Sequence, residues 1–201
     1  MAATSLDSDT YMISYEAPQV TVFAGNDDRT SKIETSNHVW AMASNPGTKK
    51  VYAVSAGNAV ATVINGRSHA TNTVRTGEIP CAVAVDSISG RAFVANYASG
   101  NVTVIDGGND SVIGTVNAGA YPQSIAVDSS DHRVFVGSTR EGTITVLDGT
   151  NNSVLGTVRT GQAPFAIAVN PKTHKAVMIG LDDDLTVIDG ITLAVSSPSI
   201  P

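Results

Sequence analysis

Apolar and polar residues alternate over short runs along the whole chain, and the runs come in pairs. Arg91 to Asp106 reads RAFVANYASGNVTVID, two strands of period two joined by a turn at Ser99-Gly100. The pattern returns in Arg133 to Asp148 (RVFVGSTREGTITVLD) and Lys175 to Asp189 (KAVMIGLDDDLTVID). Upstream it appears in Lys50 to Asn65 (KVYAVSAGNAVATVIN) and, more loosely, in Thr10 to Ala24 (TYMISYEAPQVTVFA). Asn65, Asp106, Asp148 and Asp189 stand 41, 42 and 41 residues apart.

Each repeat predicts four strands. In the third these are a (Val83 to Asp86), b (Ala92 to Asn96), c (Val102 to Asp106) and d (Ser111 to Asn117), followed by a connector from Ala118 to Pro122. Strand a recurs at Trp40 to Ser44, Ile125 to Asp128 and Ile167 to Asn170, with Ala43, Ala84, Ala126 and Ala168 in one register. Gly77, Gly119 and Gly161 are spaced by 42, as are Pro80, Pro122 and Pro164. Glycine permits positive φ where the chain swings from an outer strand to the next inner one, and proline stiffens the entry. A period in the low forties with four strands per unit marks a β-propeller blade. The expected fold is therefore all-β, one domain of five blades near 1–36, 37–77, 78–119, 120–161 and 162–201.

The first blade is expected to have b, c and d, near Tyr11 to Ser14, Val20 to Phe23 and Lys32 to Thr35, but no inner strand. By the repeat spacing, that strand needs residues before Thr4. Strand b would then be a bare edge, and a homo-oligomer through the incomplete blade follows.

Composition narrows the partners. The 42% hydrophobic content supports a core, and the 5% aromatic content leaves it mostly to Val, Ile and Ala, which suit packed sheets. The 12 Lys and Arg are scattered and the net charge is −6, which argues against nucleic acid. No apolar run approaches a membrane span, and the polar, acidic start MAATSLDSDT has no signal-peptide pattern. Cys81 is the only cysteine, so no intrachain disulfide forms, and it reads as a small buried apolar residue. No serine elbow, HExxH, Walker loop or dinucleotide fingerprint is present.

The repeat residues FVAN, VTVID and GTV, followed by a Gly-x-x-Pro connector, resemble the YVTN family of β-propeller repeats, from Thr10 to Val195. That resemblance implies a periplasmic, cell-surface or secreted parent, usually of seven blades, with lactonases and a lyase among related propellers. It also implies that the d-to-a connectors and b-to-c turns gather at one mouth where ligands bind.

On that layout His38, Glu78, Tyr121 and Gln162 lie on connectors, and Glu16, Asn58, Tyr97, Arg140, Glu141 and Asp182 to Asp184 lie on turns. His38 stands where Ile79, Tyr121 and Ala163 stand in other connectors, and it precedes Trp40, the only tryptophan. His38 and Glu78 are the candidate catalytic pair. With Asp183 they are also the candidate ligands of a divalent metal such as calcium or zinc, which would activate water or polarise a carbonyl. Tyr97, Tyr121, Arg140, Glu141 and Gln162 are the candidate ligand-binding residues.

His132 and His174 share one register on the opposite face and read as solvated turn residues, and His69 as a rim residue without a role. The strand-end aspartates (Asp86, Asp106, Asp128, Asp148 and Asp189) read as turn formers through Asx hydrogen bonds. Two function classes follow: a binding module for a small molecule, glycan or protein, and a metal-dependent hydrolase or lyase acting on a lactone, ester or phosphotriester.

Overall fold

A computed structural model of the chain describes residues 2–14, 17–26, 29–35, 39–161, 163–180 and 185–197. The described residues form five antiparallel sheets of four strands each, with no helix among them. The first sheet holds β1 (Ala2–Leu6), β2 (Asp9–Ile13), β3 (Gln19–Ala24) and β4 (Arg29–Glu34). The second holds β5 (Ala41–Asn45), β6 (Lys50–Ser55), β7 (Val60–Asn65) and β8 (Thr71–Arg75). The third holds β9 (Pro80–Val85), β10 (Arg91–Asn96), β11 (Asn101–Asp106) and β12 (Ser111–Asn117). The fourth holds β13 (Pro122–Asp128), β14 (Arg133–Ser138), β15 (Thr143–Asp148) and β16 (Ser153–Arg159). The fifth holds β17 (Pro164–Asn170), β18 (Lys175–Gly180), β19 (Leu185–Asp189) and β20 (Val195–Ser196). Each sheet is a meander in chain order, and the inner strands β1, β5, β9, β13 and β17 pack side by side in succession. This is the blade arrangement of a propeller.

Three expectations need correction. The first blade has its inner strand: β1 pairs with β2 from Ala2↔Ile13 to Leu6↔Asp9. The other blades put four or five residues between strands a and b, whereas here only Asp7 and Ser8 intervene, with Asp7 at φ 54°. That tight turn brings residues 2–6 back into pairing, so β2 is no bare edge. Second, the inner strands of the third, fourth and fifth blades begin at Pro80, Pro122 and Pro164, earlier than the alternation suggested. Third, the connectors reach positive φ at Gly119 (90°) and Gly161 (76°) but not at Gly77; in that connector Ile79 takes it instead, at 51°. Gly77 is needed for space, since a Cβ there would lie 2.8 Å from the Asn96 side chain.

The blades interlock through one repeated contact. Tyr11, Tyr52, Phe93 and Phe135 share a register on strand b and are all fully buried. Each reaches a glycine just after strand c of the next blade. Tyr11 Oη donates to Gly66 O at 3.3 Å. A Cβ on Gly107, Gly149 or Gly190 would sit 2.6, 3.0 or 2.9 Å from the ring ends of Tyr52, Phe93 and Phe135. The alanine register explains itself here: Ala43, Ala84 and Ala126 pair across to Tyr52, Phe93 and Phe135, leaving those rings room. Burying one such ring contributes about 2–3 kcal/mol, against under about 1 kcal/mol for an exposed ion pair. The rings hold the blades together; charges adjust the junctions.

Candidate functional site

The connectors and the b-to-c turns do share one face, tied by backbone bonds. Tyr97 N–H donates to Ile79 O at 2.9 Å, Ala98 N–H to Glu78 O at 3.2 Å, and Thr139 N–H to Tyr121 O at 3.1 Å. Tyr121 has φ 56°, in the register of Ile79. A left-handed residue with a side chain costs about 1–2 kcal/mol. Because Ile79 and Tyr121 share it, the repeat imposes the conformation, and the bonds from Thr139 hold it; Thr139 Oγ1 adds a second at 3.1 Å.

This geometry aims Tyr121 between two neighbours. Its ring stacks on Tyr97, with centroids 4.7 Å apart and planes 16° from parallel. The Arg140 guanidinium carbon lies 5.4 Å from the Tyr121 ring centroid, and Arg140 Nη1 donates to Tyr121 Oη at 3.4 Å. Three residues from three different turns thus form one aromatic and cationic group at the mouth. Their chain neighbours Ala120 and Glu141 line a cavity of about 570 Å³, with Gly100, Asn117, Thr145 and Thr157. That volume lies within the range of small-molecule sites.

Of the candidate set, the structure therefore brings together Tyr97, Tyr121 and Arg140, with Glu141 on the adjoining cavity. Glu78 is exposed, and its own N–H donates to Ser99 Oγ at 2.7 Å. His38, Gln162 and Asp183 lie outside the described residues, as do Glu16, Asp182 and Asp184.

The opposite face holds what sequence reasoning missed. His132 and His174 are not merely solvated, because each bridges to the preceding blade. His132 Nδ1 lies 2.5 Å from Asp86 Oδ2, and His174 Nδ1 lies 3.0 Å from Asp128 Oδ2. Asp86 and Asp128 are 0% and 1% exposed. Burial alone would raise the Asp86 carboxyl. Hydrogen bonds from His132, from Ser89 Oγ and from the Ser89 and Ile88 N–H groups outweigh it and hold the carboxyl below its usual range. Asp128 is lowered likewise, burial being overcome by Ser130, His174 and the Ser130 N–H. Asp131 adds a second carboxylate 3.6 Å from His174 Nδ1. Burial, then the charge of Asp128, push its carboxyl up, although Arg133 Nε stands 3.1 Å away. Asp128, Asp131 and His174 are the metal-capable group among the described residues, and they lie away from the mouth. The turn-forming role of the strand-end aspartates holds as well: each accepts a backbone N–H two residues on, as at Asp106, Asp148 and Asp189. His69 Nε2 lies 3.5 Å from Asp9 Oδ2 without a hydrogen bond between them.

Comparison with known proteins agrees with this architecture. Residues 20–117 match the family model described as lactonase, 7-bladed beta-propeller. A structure titled Kuenenia stuttgartiensis hydrazine synthase is similar at 17% identity and a TM-score of 0.71, over 80% of this chain and 49% of that one. A chain from a mitotic checkpoint complex is similar at 14% identity and a TM-score of 0.79, over 93% of this chain and 59% of that one. The chain thus spans about half the length of these structures. No curated protein matches. No helix among the described residues is long and apolar enough to cross a membrane. By its period, its sheet order and these likenesses, the chain is a β-propeller repeat protein.

Proposed function

We propose that the chain is a binding module whose mouth takes a polar, ring-shaped ligand carrying a carboxylate, of the acidic-sugar class. The observation that carries this reading is the Tyr97–Tyr121–Arg140 group beside the cavity. Aromatic rings offer a face or edge to a sugar ring, Arg140 supplies a fork for a carboxylate, and Asn117, Thr145 and Thr157 supply hydroxyl and amide partners. A periplasmic or surface setting suits such a ligand.

A second reading is favoured by the match to a lactonase family: hydrolysis of a lactone at the same mouth, with His38 and Glu78 in the acid–base or metal-binding roles. Of that pair the described residues include only Glu78, so no step is built through a metal.

Calorimetric titration with neutral sugars, uronic acids and aldonolactones tests the first reading, and lactone turnover in a pH-stat with and without Ca²⁺ or Zn²⁺ tests the second. Arg140→Ala or Tyr97→Ala should weaken uronic-acid binding by about tenfold or more. Unchanged affinity in both variants removes the site from the mouth. Lactone turnover that falls by about a hundredfold in His38→Ala, with the melting temperature intact, would establish the hydrolase instead.

A further inference from the structure

The connectors into the third and fourth blades differ beside their glycines. A Cβ on Gly77 would meet Asn96 and Asn101, whose side chains bond each other at 2.8 Å. Asn96 Nδ2 also donates to Thr103 Oγ1 at 2.8 Å, so amides close that space. In the fourth blade the smaller Ser138 and Thr143 hold the registers of the two asparagines. A Cβ on Gly119 would lie 2.7 Å from Ser138 Oγ and 2.8 Å from Glu141 Oε2. Gly119, at φ 90°, thus lets the Glu141 carboxylate close onto the connector. In the third blade the register of Glu141 holds Ser99, whose hydroxyl is taken up by the Glu78 N–H.

Among the described residues that line the cavity of about 570 Å³, Glu141 alone is charged. Thr145 and Thr157 lie hydroxyl to hydroxyl at 3.3 Å. The Glu141 carboxylate and the Asn117 amide are exposed, and neither has a hydrogen bond or ion pair among the described residues. Arg140, its chain neighbour, does not neutralise Glu141. That guanidinium is committed to the Tyr121 ring, 5.4 Å from its centroid, and to Tyr121 Oη at 3.4 Å. One turn therefore offers the mouth a positive and a negative group that do not pair with each other, beside the stacked tyrosines.

We infer, resting on the binding-module reading above, that the ligand carries an ammonium group as well as its carboxylate, and that Glu141 selects for it. Its class is then that of the amino sugar acids. The charges decide between ligands. A plain acid entering beside Glu141 meets a like charge, in a chain whose net charge is already −6. A ligand hydroxyl there would take the carboxylate out of water and return only a hydrogen bond to a neutral donor. An ammonium removes the repulsion and makes the bond charge-assisted. Its several N–H donors also match the Glu141 oxygens together with the Asn117 side-chain carbonyl. A calcium ion bridging Glu141 to the ligand is the competing occupant. Calcium takes about six to eight oxygens, and the cavity lining supplies few beyond Glu141 and Asn117.

Calorimetric titration of the intact chain with glucuronic acid, 2-amino-2-deoxyglucuronic acid and the N-acetylated form of the latter separates the charges. Only the second of these carries an ammonium. It should bind about tenfold or more tightly than glucuronic acid, and N-acetylation should abolish the gain. Glu141→Gln should bring the ratio of the two affinities to about one and tighten glucuronic acid, since the repulsion is gone. Glucuronic acid that binds through Arg140, with the amino form no tighter, overturns this inference and leaves the binding-module reading standing. If none of the three ligands binds the wild-type chain, both fall. A gain that survives Glu141→Gln overturns the inference as well. So does glucuronic acid binding that needs Ca²⁺, which would assign Glu141 to a bridging ion.

Discussion

Lys50 Nζ lies 2.6 Å from Asp110 Oδ1, 60 positions on and in the next blade, where the preceding junction sets the Asp9 carboxylate 3.5 Å from the His69 imidazole. Asp9 and Lys50 share one register, and His69 and Asp110 another, both of the latter left-handed at φ 57° and 60°. Both side chains of the Lys50 pair are only 15% exposed, which makes it stronger than a surface pair. A double-mutant cycle by urea denaturation on Lys50→Ala and Asp110→Ala should give a coupling of roughly 1–2 kcal/mol. The swap Lys50→Asp with Asp110→Lys should recover most of the loss. No coupling would mean that Lys50 works only through the Gly107 carbonyl.

The junction between the second and third blades lacks the histidine bridge of its successors. Asn45 stands in the register of Asp86 and Asp128, and Gly90 in that of His132 and His174. Asn45 is fully buried, and its Nδ2 has no partner. Gly90 already has φ 77°, close to the 59° and 55° of the two histidines. Asn45→Asp with Gly90→His should therefore stabilise the chain by about 0.5–2 kcal/mol. A Cβ at Gly90 would meet Thr48 Cγ2 at 3.1 Å, so that methyl must give slightly. A lower melting temperature in the double variant would show that it cannot.

Acid should act in opposite senses on the carboxyls of the later two junctions. Asp86 and Asp128 have lowered pKa values in the folded chain, so the stability they contribute is complete above the ordinary value of 3.8 and is lost as pH falls through the lowered ones. Asp131 is raised, so ionising it costs stability near neutrality, and that cost disappears below 3.8. Asp131→Asn should raise the melting temperature near pH 7 and leave it unchanged at about pH 3. Asp86→Asn should lower it near pH 7, by an amount that shrinks in acid. A melting temperature that drops in Asp131→Asn near neutrality would mean that the Arg133 and His174 contacts outweigh desolvation.

Ile79 is a branched side chain held at φ 51°, and it is 40% exposed. A residue that tolerates left-handed backbone should suit this connector better, because isoleucine gains little burial there. Ile79→Asn should stabilise the fold by about 1 kcal/mol in chemical denaturation. A loss of the same size would show that the exposed fraction hides a packing role.

The strands were legible because alternation and turn residues repeat with the period, and four of the five blades agree on them. The first blade was not, because its two-residue loop is shorter than the loops of four or five residues in the others and shifts β1 along the chain. The mouth was legible as a list: Tyr97, Tyr121 and Arg140 were each identified, but nothing in their spacing announced that three turns would stack them. The histidine bridges were hidden for a different reason. Asp86 and His132 are 46 residues apart, so the pairing joins two registers rather than one, and comparison within a register shows only histidine beside glycine and lysine.

The short Asp7-Ser8 turn also decides the order in which the molecule can be made. Many rings hold their first sheet open until the far terminus arrives to complete it. Here all five sheets are drawn from contiguous stretches, the first from residues 2–34 alone. Each blade can pair its strands as soon as it leaves the ribosome and then receive the ring of the blade before it in its glycine recess, so assembly follows synthesis one junction at a time. Contacts that are local in sequence make such folding fast for an all-β chain, and they keep every nascent edge waiting only for the next forty or so residues.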